Sequence, residues 1–147
     1  MANKIIPYIC VKGGAAAMEW YKQAFGATEV LRLETSDGHI AHAELSIGEA
    51  SFMLSDEFSE MGVISPSTLN GTVVTLDLIV SNVDEVVKSA VDHGATLQRP
   101  VRDEFYGQRT GTILDPFGHR WIIGTVVEEL TTEELKARAA KLFGGSK

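Results

Sequence analysis

Val80-Ser81-Asn82-Val83-Asp84-Glu85-Val86-Val87-Lys88-Ser89-Ala90-Val91-Asp92-His93-Gly94-Ala95-Thr96 decides the fold, because the chain carries this pattern twice. The earlier copy runs from Val11 through Trp20 and Tyr21 to Gly26-Ala27-Thr28 and is one residue longer. Each copy ends a β-branched strand, spans a helix of roughly ten residues and closes on Gly-Ala-Thr. Asn82 followed by Glu85 is a capping box, which satisfies early helix N–H groups. Val83, Val86, Val87, Ala90 and Val91 then form an apolar stripe, as do Ala17, Trp20, Tyr21 and Ala24 in the first copy. Glycine after each helix can take the left-handed conformation that ends it.

Strand-like runs follow each Gly-Ala-Thr: Glu29–Thr35, His39–Ile47 and Ser51–Ser55, then Leu97–Val101, Thr110–Leu114 and Trp121–Val126. Each half therefore reads βαβββ, and the expected class is α+β. Side chains alternate across a strand. Ala43, Leu45 and Ile47 thus share one face and His42, Glu44 and Ser46 the other; Leu76, Leu78 and Val80 likewise oppose Thr75, Asp77 and Ile79. The apolar faces are expected to carry the helices. The mixed faces are expected to line a half-open, curved sheet or barrel with a central pocket. Thr131 with Glu134 caps a further helix, about 132–143, with Leu135, Ala139 and Leu142 on one face. The chain reads as one domain, 1–147: repeat one at about 4–57, a linker at about 58–72, repeat two at about 73–127, and the C-terminal helix.

Composition narrows the partners. The chain has 147 residues, 44% of them hydrophobic, which excludes extended disorder. Thirteen Lys+Arg against twenty Asp+Glu give a net charge of −7, the wrong balance for neutralising nucleic-acid phosphates. No apolar run reaches the ~18–20 residues of a membrane-spanning helix. The opening MANKIIPYICV reads as a first strand rather than a secretory signal. The single Cys10 favours a reducing compartment, so a cytoplasmic location is expected.

The repeat, the phrase Met18-Glu19-Trp20-Tyr21-Lys22-Gln23-Ala24-Phe25-Gly26-Ala27 and the phrase Asp115-Pro116-Phe117-Gly118-His119-Arg120-Trp121 resemble the glyoxalase/bleomycin-resistance/dioxygenase superfamily, the vicinal oxygen chelate proteins. Tyr106-Gly107-Gln108-Arg109 and the tail from Val127-Glu128-Glu129 to Glu134 resemble its PhnB-like branch. The resemblance implies a two-repeat fold, a small-molecule ligand and a homodimer. It also implies positions for a divalent ion, one on the first and one on the last strand of each half. Those positions fall at Ile6 and Thr75, near Met53 and at Ile122, where no hard-cation donor set stands. The expectation is therefore no metal and no other cofactor. A divalent metal relocated to His42, Glu44 and Asp77 is the alternative, with lyase, isomerase or dioxygenase-like chemistry.

Asp115-Pro116-Phe117-Gly118 also has a plain reading as a type I turn, and Trp20, Phe25 and Trp121 as core. Asp103 to Arg109 is the most suggestive polar cluster: Gly107 would turn the chain so that Tyr106 stacks on a ligand ring and Arg109 forks a carboxylate or phosphate. Its alternative is a surface ion pair of Arg109 with Glu104 or Asp103. The candidate ligand-binding set is Tyr8, His42, Glu44, Met53, Thr75, Asp77, Tyr106, Arg109 and Ile122. His39, His93 and His119 are read as turn and helix-end residues, Cys10 as an inert thiol, and Ser55-Asp56-Glu57 as a solvated loop or an acidic lip to the pocket.

Overall fold

Alternation along the strands and glycine after the helices build the chain into two similar halves. The computed structural model describes residues 2–144. In the first half β1 (Tyr8–Val11), α1 (Gly14–Phe25), β2 (Thr28–Glu34), β3 (Ile40–Ile47) and β4 (Ala50–Asp56) follow in order. In the second, β5 (Thr75–Ile79), α3 (Val83–Asp92), β6 (Thr96–Asp103), β7 (Gln108–Leu114) and β8 (Arg120–Val126) repeat that order. Between them lies α2 (Pro66–Leu69), and α4 (Thr132–Phe143) closes the chain. The sheets have matching orders, β1-β4-β3-β2 and β5-β8-β7-β6, with the outer pairs β1/β4 and β5/β8 parallel. Gly26 and Gly94 end α1 and α3 with φ of 71° and 101°, the left-handed geometry that a Cβ disfavours.

The helix-facing sides of both sheets enter one core. Ile9, Val11, Ala43, Leu45, Phe52 and Leu54 come from the first, and Leu78, Ile113, Trp121 and Ile123 from the second. Tyr21 and Phe25 of α1 lie among them, with Tyr21–Phe52 centroids 5.2 Å apart and Phe25–Trp121 centroids 4.9 Å apart, edge to face. α1 and α3 also meet directly, where Trp20 Nε1 donates to the His93 carbonyl at 2.8 Å. Each half caps its first helix from the end of its last strand. Asp56 Oδ1 accepts the Gly13 and Gly14 N–H groups at 3.0 and 2.8 Å, and at the matching place Thr125 Oγ1 accepts from Val83 N at 2.8 Å.

The two sheets are open, as expected of a half-open arrangement: no ladder joins one to the other among the described residues, and neither closes into a barrel. They are held through the helices and the aromatic core. Two features differ from the sequence expectation. The linker is not featureless: it has a 3₁₀ turn at Ser59–Met61, a Phe58–Val63 bridge and α2, whose Ser65 cap is held by Glu57. The helical stripes are narrower than their spacing suggests. Val91 is 39% exposed, and α4 buries no residue, with Leu142 60% exposed. Arg138 instead moors α4 through Glu128 at 2.6 Å and the Phe105 carbonyl at 3.0 Å.

Candidate functional site

Packing the apolar sides inward leaves one face of each sheet without a helix, and the alternation puts most of the expected site residues there. On the first sheet Tyr8 pairs with Met53, Met53 with Glu44, Glu44 with Leu31, and His42 with Leu33. These side chains share one face. The Tyr8 hydroxyl is hydrogen-bonded to His42 Nδ1 at 2.8 Å, and their rings meet edge to face with centroids 5.2 Å apart. The bond fixes the imidazole and leaves Nε2 for a ligand. Around the tyrosine, Leu31 and Leu33 are 41% and 50% exposed and Tyr8 itself 53% exposed, so this face is apolar with a few polar fixings. An open hollow of about 260 Å³ beside Tyr8 reaches Cys10, Ser55 and Val63. Burial, aided by the charges of Glu57 and Asp56, pushes the Cys10 thiol up to about 11, so it is not a ready nucleophile.

On the second sheet Thr75 pairs with Arg120 and Asp77 with Ile122. Ile79 lies on the same face, 52% exposed. Partial burial raises the Asp77 carboxyl above its ordinary value. A crevice of about 130 Å³ beside Asp77 is otherwise lined mainly by apolar groups, among them Pro7, Ile47, Phe52 and Trp121.

The expected set thus divides into two groups, Tyr8, His42, Glu44 and Met53 on one sheet and Thr75, Asp77 and Ile122 on the other. Among the described residues no hydrogen bond or ion pair links them, and no three His, Cys, Asp or Glu side chains converge as a metal cluster. Two further residues sit elsewhere. Arg109 pairs with Thr125, on the helix-bearing side of its sheet, and forks Asp84 of α3 at 2.9 and 3.0 Å while reaching Asp103 at 3.2 Å. It therefore turns away from the helix-free face, for the simple reason that β7 alternation opposes it to Thr110. Tyr106 lies in the β6–β7 turn, stacked edge to face on Phe105 at 5.2 Å, apart from both groups.

Other polar residues prove to be structural. Asp115 is 3% exposed and receives Phe117 N, His119 N, Tyr21 Oη and Trp121 Nε1. His119 Nε2 lies 2.8 Å from the Cys10 carbonyl, joining the turn of the second half to β1 of the first. Asp56, expected in a solvated loop, is 5% exposed and caps α1. Arg120 is the polar residue of the second sheet that the sequence reading passed over as part of the turn phrase. The signal was present: Arg120 stands two residues before Ile122 on one strand and so shares its face.

Comparison with known proteins agrees with this architecture. The profile of the Glyoxalase/Bleomycin resistance protein/Dioxygenase superfamily matches residues 4–123. A protein of Mycobacterium bovis, described as uncharacterized, is 37% identical over 134 residues, 89% of this chain and 88% of its own. Among solved structures, a gene product of Arabidopsis thaliana is 28% identical with a TM-score of 0.64, covering 84% of this chain and 98% of that one. TioX from Micromonospora sp. ML1 is 23% identical with a TM-score of 0.66, covering 88% and 100%. No described helix is long and apolar enough to cross a membrane.

Proposed function

We propose that this chain, which belongs to the glyoxalase/bleomycin resistance/dioxygenase superfamily, is a metal-free small-molecule-binding protein that works as a homodimer. The observation that carries the reading is the pair of helix-free sheet faces, the first apolar with a few polar groups and the second mixed, which we read as the two halves of one site. Tyr8, His42, Glu44 and Met53 form one wall, and Thr75, Asp77 and Ile122 the other. A second copy laid across them closes one wall over the other and covers the exposed Tyr8, Leu31, Leu33 and Ile79. The metal-free part rests on donor chemistry. At the four positions implied by the superfamily, Ile6 and Ile122 carry no lone pair, Met53 offers a thioether and Thr75 a neutral hydroxyl. Tyr106-Gly107-Gln108-Arg109 supports placement in the PhnB-like branch, and the single Cys10 a cytoplasmic home.

Sedimentation, metal analysis and a melting-temperature screen with aromatic and cationic compounds test this together. The expected result is a dimer with far less than one metal ion per chain, and a ligand-induced rise in melting temperature that Tyr8→Ala and Met53→Ala diminish. A stoichiometric transition metal lost in His42→Ala would overturn it.

One observation favours a second reading, an enzyme running acid–base chemistry. Partial burial shifts the Asp77 carboxyl upward, the direction a general base in such a site uses. Turnover of a bound compound that Asp77→Asn abolishes, with binding intact, would establish that reading.

A further inference from the structure

Arg120 opens β8, and its guanidinium is held by neutral groups alone. Nε donates to Gln98 Oε1 at 3.2 Å and Nη1 to Thr75 Oγ1 at 3.3 Å. Arg32, Arg102, Arg109 and Arg138 each reach a carboxylate, and Arg99, which reaches none, is exposed to solvent. Among the described residues none stands within ion-pair distance of Arg120, although the chain has twenty Asp+Glu. A half-buried cation with only neutral partners keeps unspent attraction for an anion.

The space beside it is suited to one. An open cleft of about 330 Å³ lies between the second sheet and the 66–72 segment, lined by Ser67, Asn70, Thr72, Gln98 and Arg120 and by no carboxylate. Gln98 spends its carbonyl oxygen on Arg120, which leaves its NH₂ as a donor. The side chains of Ser67 and Asn70 make no hydrogen bond among the described residues, so their donors are unspent too.

We propose that this cleft binds an oxyanion, the carboxylate or phosphate group of a small molecule. Arg120 supplies the charge and a planar fork of N–H groups, and Gln98, Ser67 and Asn70 complete the ring of donors. Arg120 reaches Thr75 of the wall on the second sheet, but the cleft itself is formed within one chain. It therefore stands or falls separately from the dimeric site proposed above.

Calorimetric titration of the full chain with inorganic phosphate, malonate and phenyl phosphate tests it, with oligomeric state followed in parallel. At least one of the three binds at one per chain. Arg120→Met weakens that binding about ten-fold or more, Arg120→Lys and Gln98→Ala weaken it less, and Arg102→Gln leaves it unchanged. Binding of inorganic phosphate marks a free anion as sufficient, whereas binding of phenyl phosphate or malonate alone marks the anion as part of a larger ligand; either result supports the site. Failure of all three to bind the wild-type chain overturns it. So does binding that survives both Arg120→Met and Gln98→Ala, or an Arg120→Met effect confined to loss of the dimer.

Discussion

The Tyr21 hydroxyl donates to Asp115 Oδ2 at 2.5 Å, tying the first helix of one repeat to the β7–β8 turn of the other. Both residues are buried, and the same oxygen also accepts from Trp121 Nε1 at 2.9 Å. Burial and the neighbouring carboxylate hold the Tyr21 hydroxyl well above its ordinary range, so it remains a donor at any working pH. Tyr21→Phe is expected to cost about 1.5–3 kcal/mol, the worth of a hydrogen bond to a charged group. Asp115→Ala strands four donors and costs more. Urea-unfolding midpoints check the order, and an unchanged midpoint for Tyr21→Phe would show that the bond contributes nothing.

Asp56→Ala removes the acceptor of Gly13 N, Gly14 N and Ile40 N, the last at 2.7 Å. The expected loss is at least about 2 kcal/mol, with Asp56→Asn milder. Gly14→Ala is expected to destabilise as well, against helix propensity. Its Cβ would stand 2.7 Å from Ile40 Cγ1 and 2.9 Å from Asp56 Oδ2, and overpacking of this kind costs about 1–3 kcal/mol. A melting temperature at or above wild type for Gly14→Ala would contradict this.

Cys10 carries a pH prediction. Its folded value of about 11 lies above the ordinary 9.0, so the neutral thiol is favoured by folding. That contribution is fully present below about pH 9 and fades as pH rises toward 11, so stability should fall across this window. Cys10→Ser should flatten the fall. At pH 8 iodoacetamide should alkylate Cys10 more slowly in the folded chain than in urea; equal rates would refute the shift.

Arg109→Met separates the two arginines. Its fork to Asp84 is solvent-facing, so the urea-unfolding midpoint is expected to move little, with anion titrations unaffected. An equal loss of anion binding in Arg109→Met and Arg120→Met would show a shared electrostatic field rather than a built cleft.

How much could be read beforehand depends on the range of each signal. The Gly-Ala-Thr stops, the Asn82 and Thr131 caps and the β-branched alternation act within a few residues, and they place α1, α3, α4 and the strands closely. Alternation also sorts Tyr8, His42, Glu44, Met53, Thr75, Asp77 and Ile122 onto helix-free faces. Arg109 escaped because a cluster of polar residues was read without regard to strand parity. Arg120 escaped because the phrase Asp115–Trp121 drew attention as a turn, although its last two residues already belong to β8.

The duplicated βαβββ order and the Asn82 and Thr131 caps were settled by the sequence, since each follows from local backbone geometry and side-chain alternation. Only the tertiary structure decided that the two sheets share a core through α1, α3 and the Tyr21–Asp115 bond while no ladder joins them. It alone decided that Asp56 is buried beneath a helix and that Arg120 faces a cleft without a carboxylate. These facts rest on contacts between residues far apart in the chain, whose geometry no local pattern encodes.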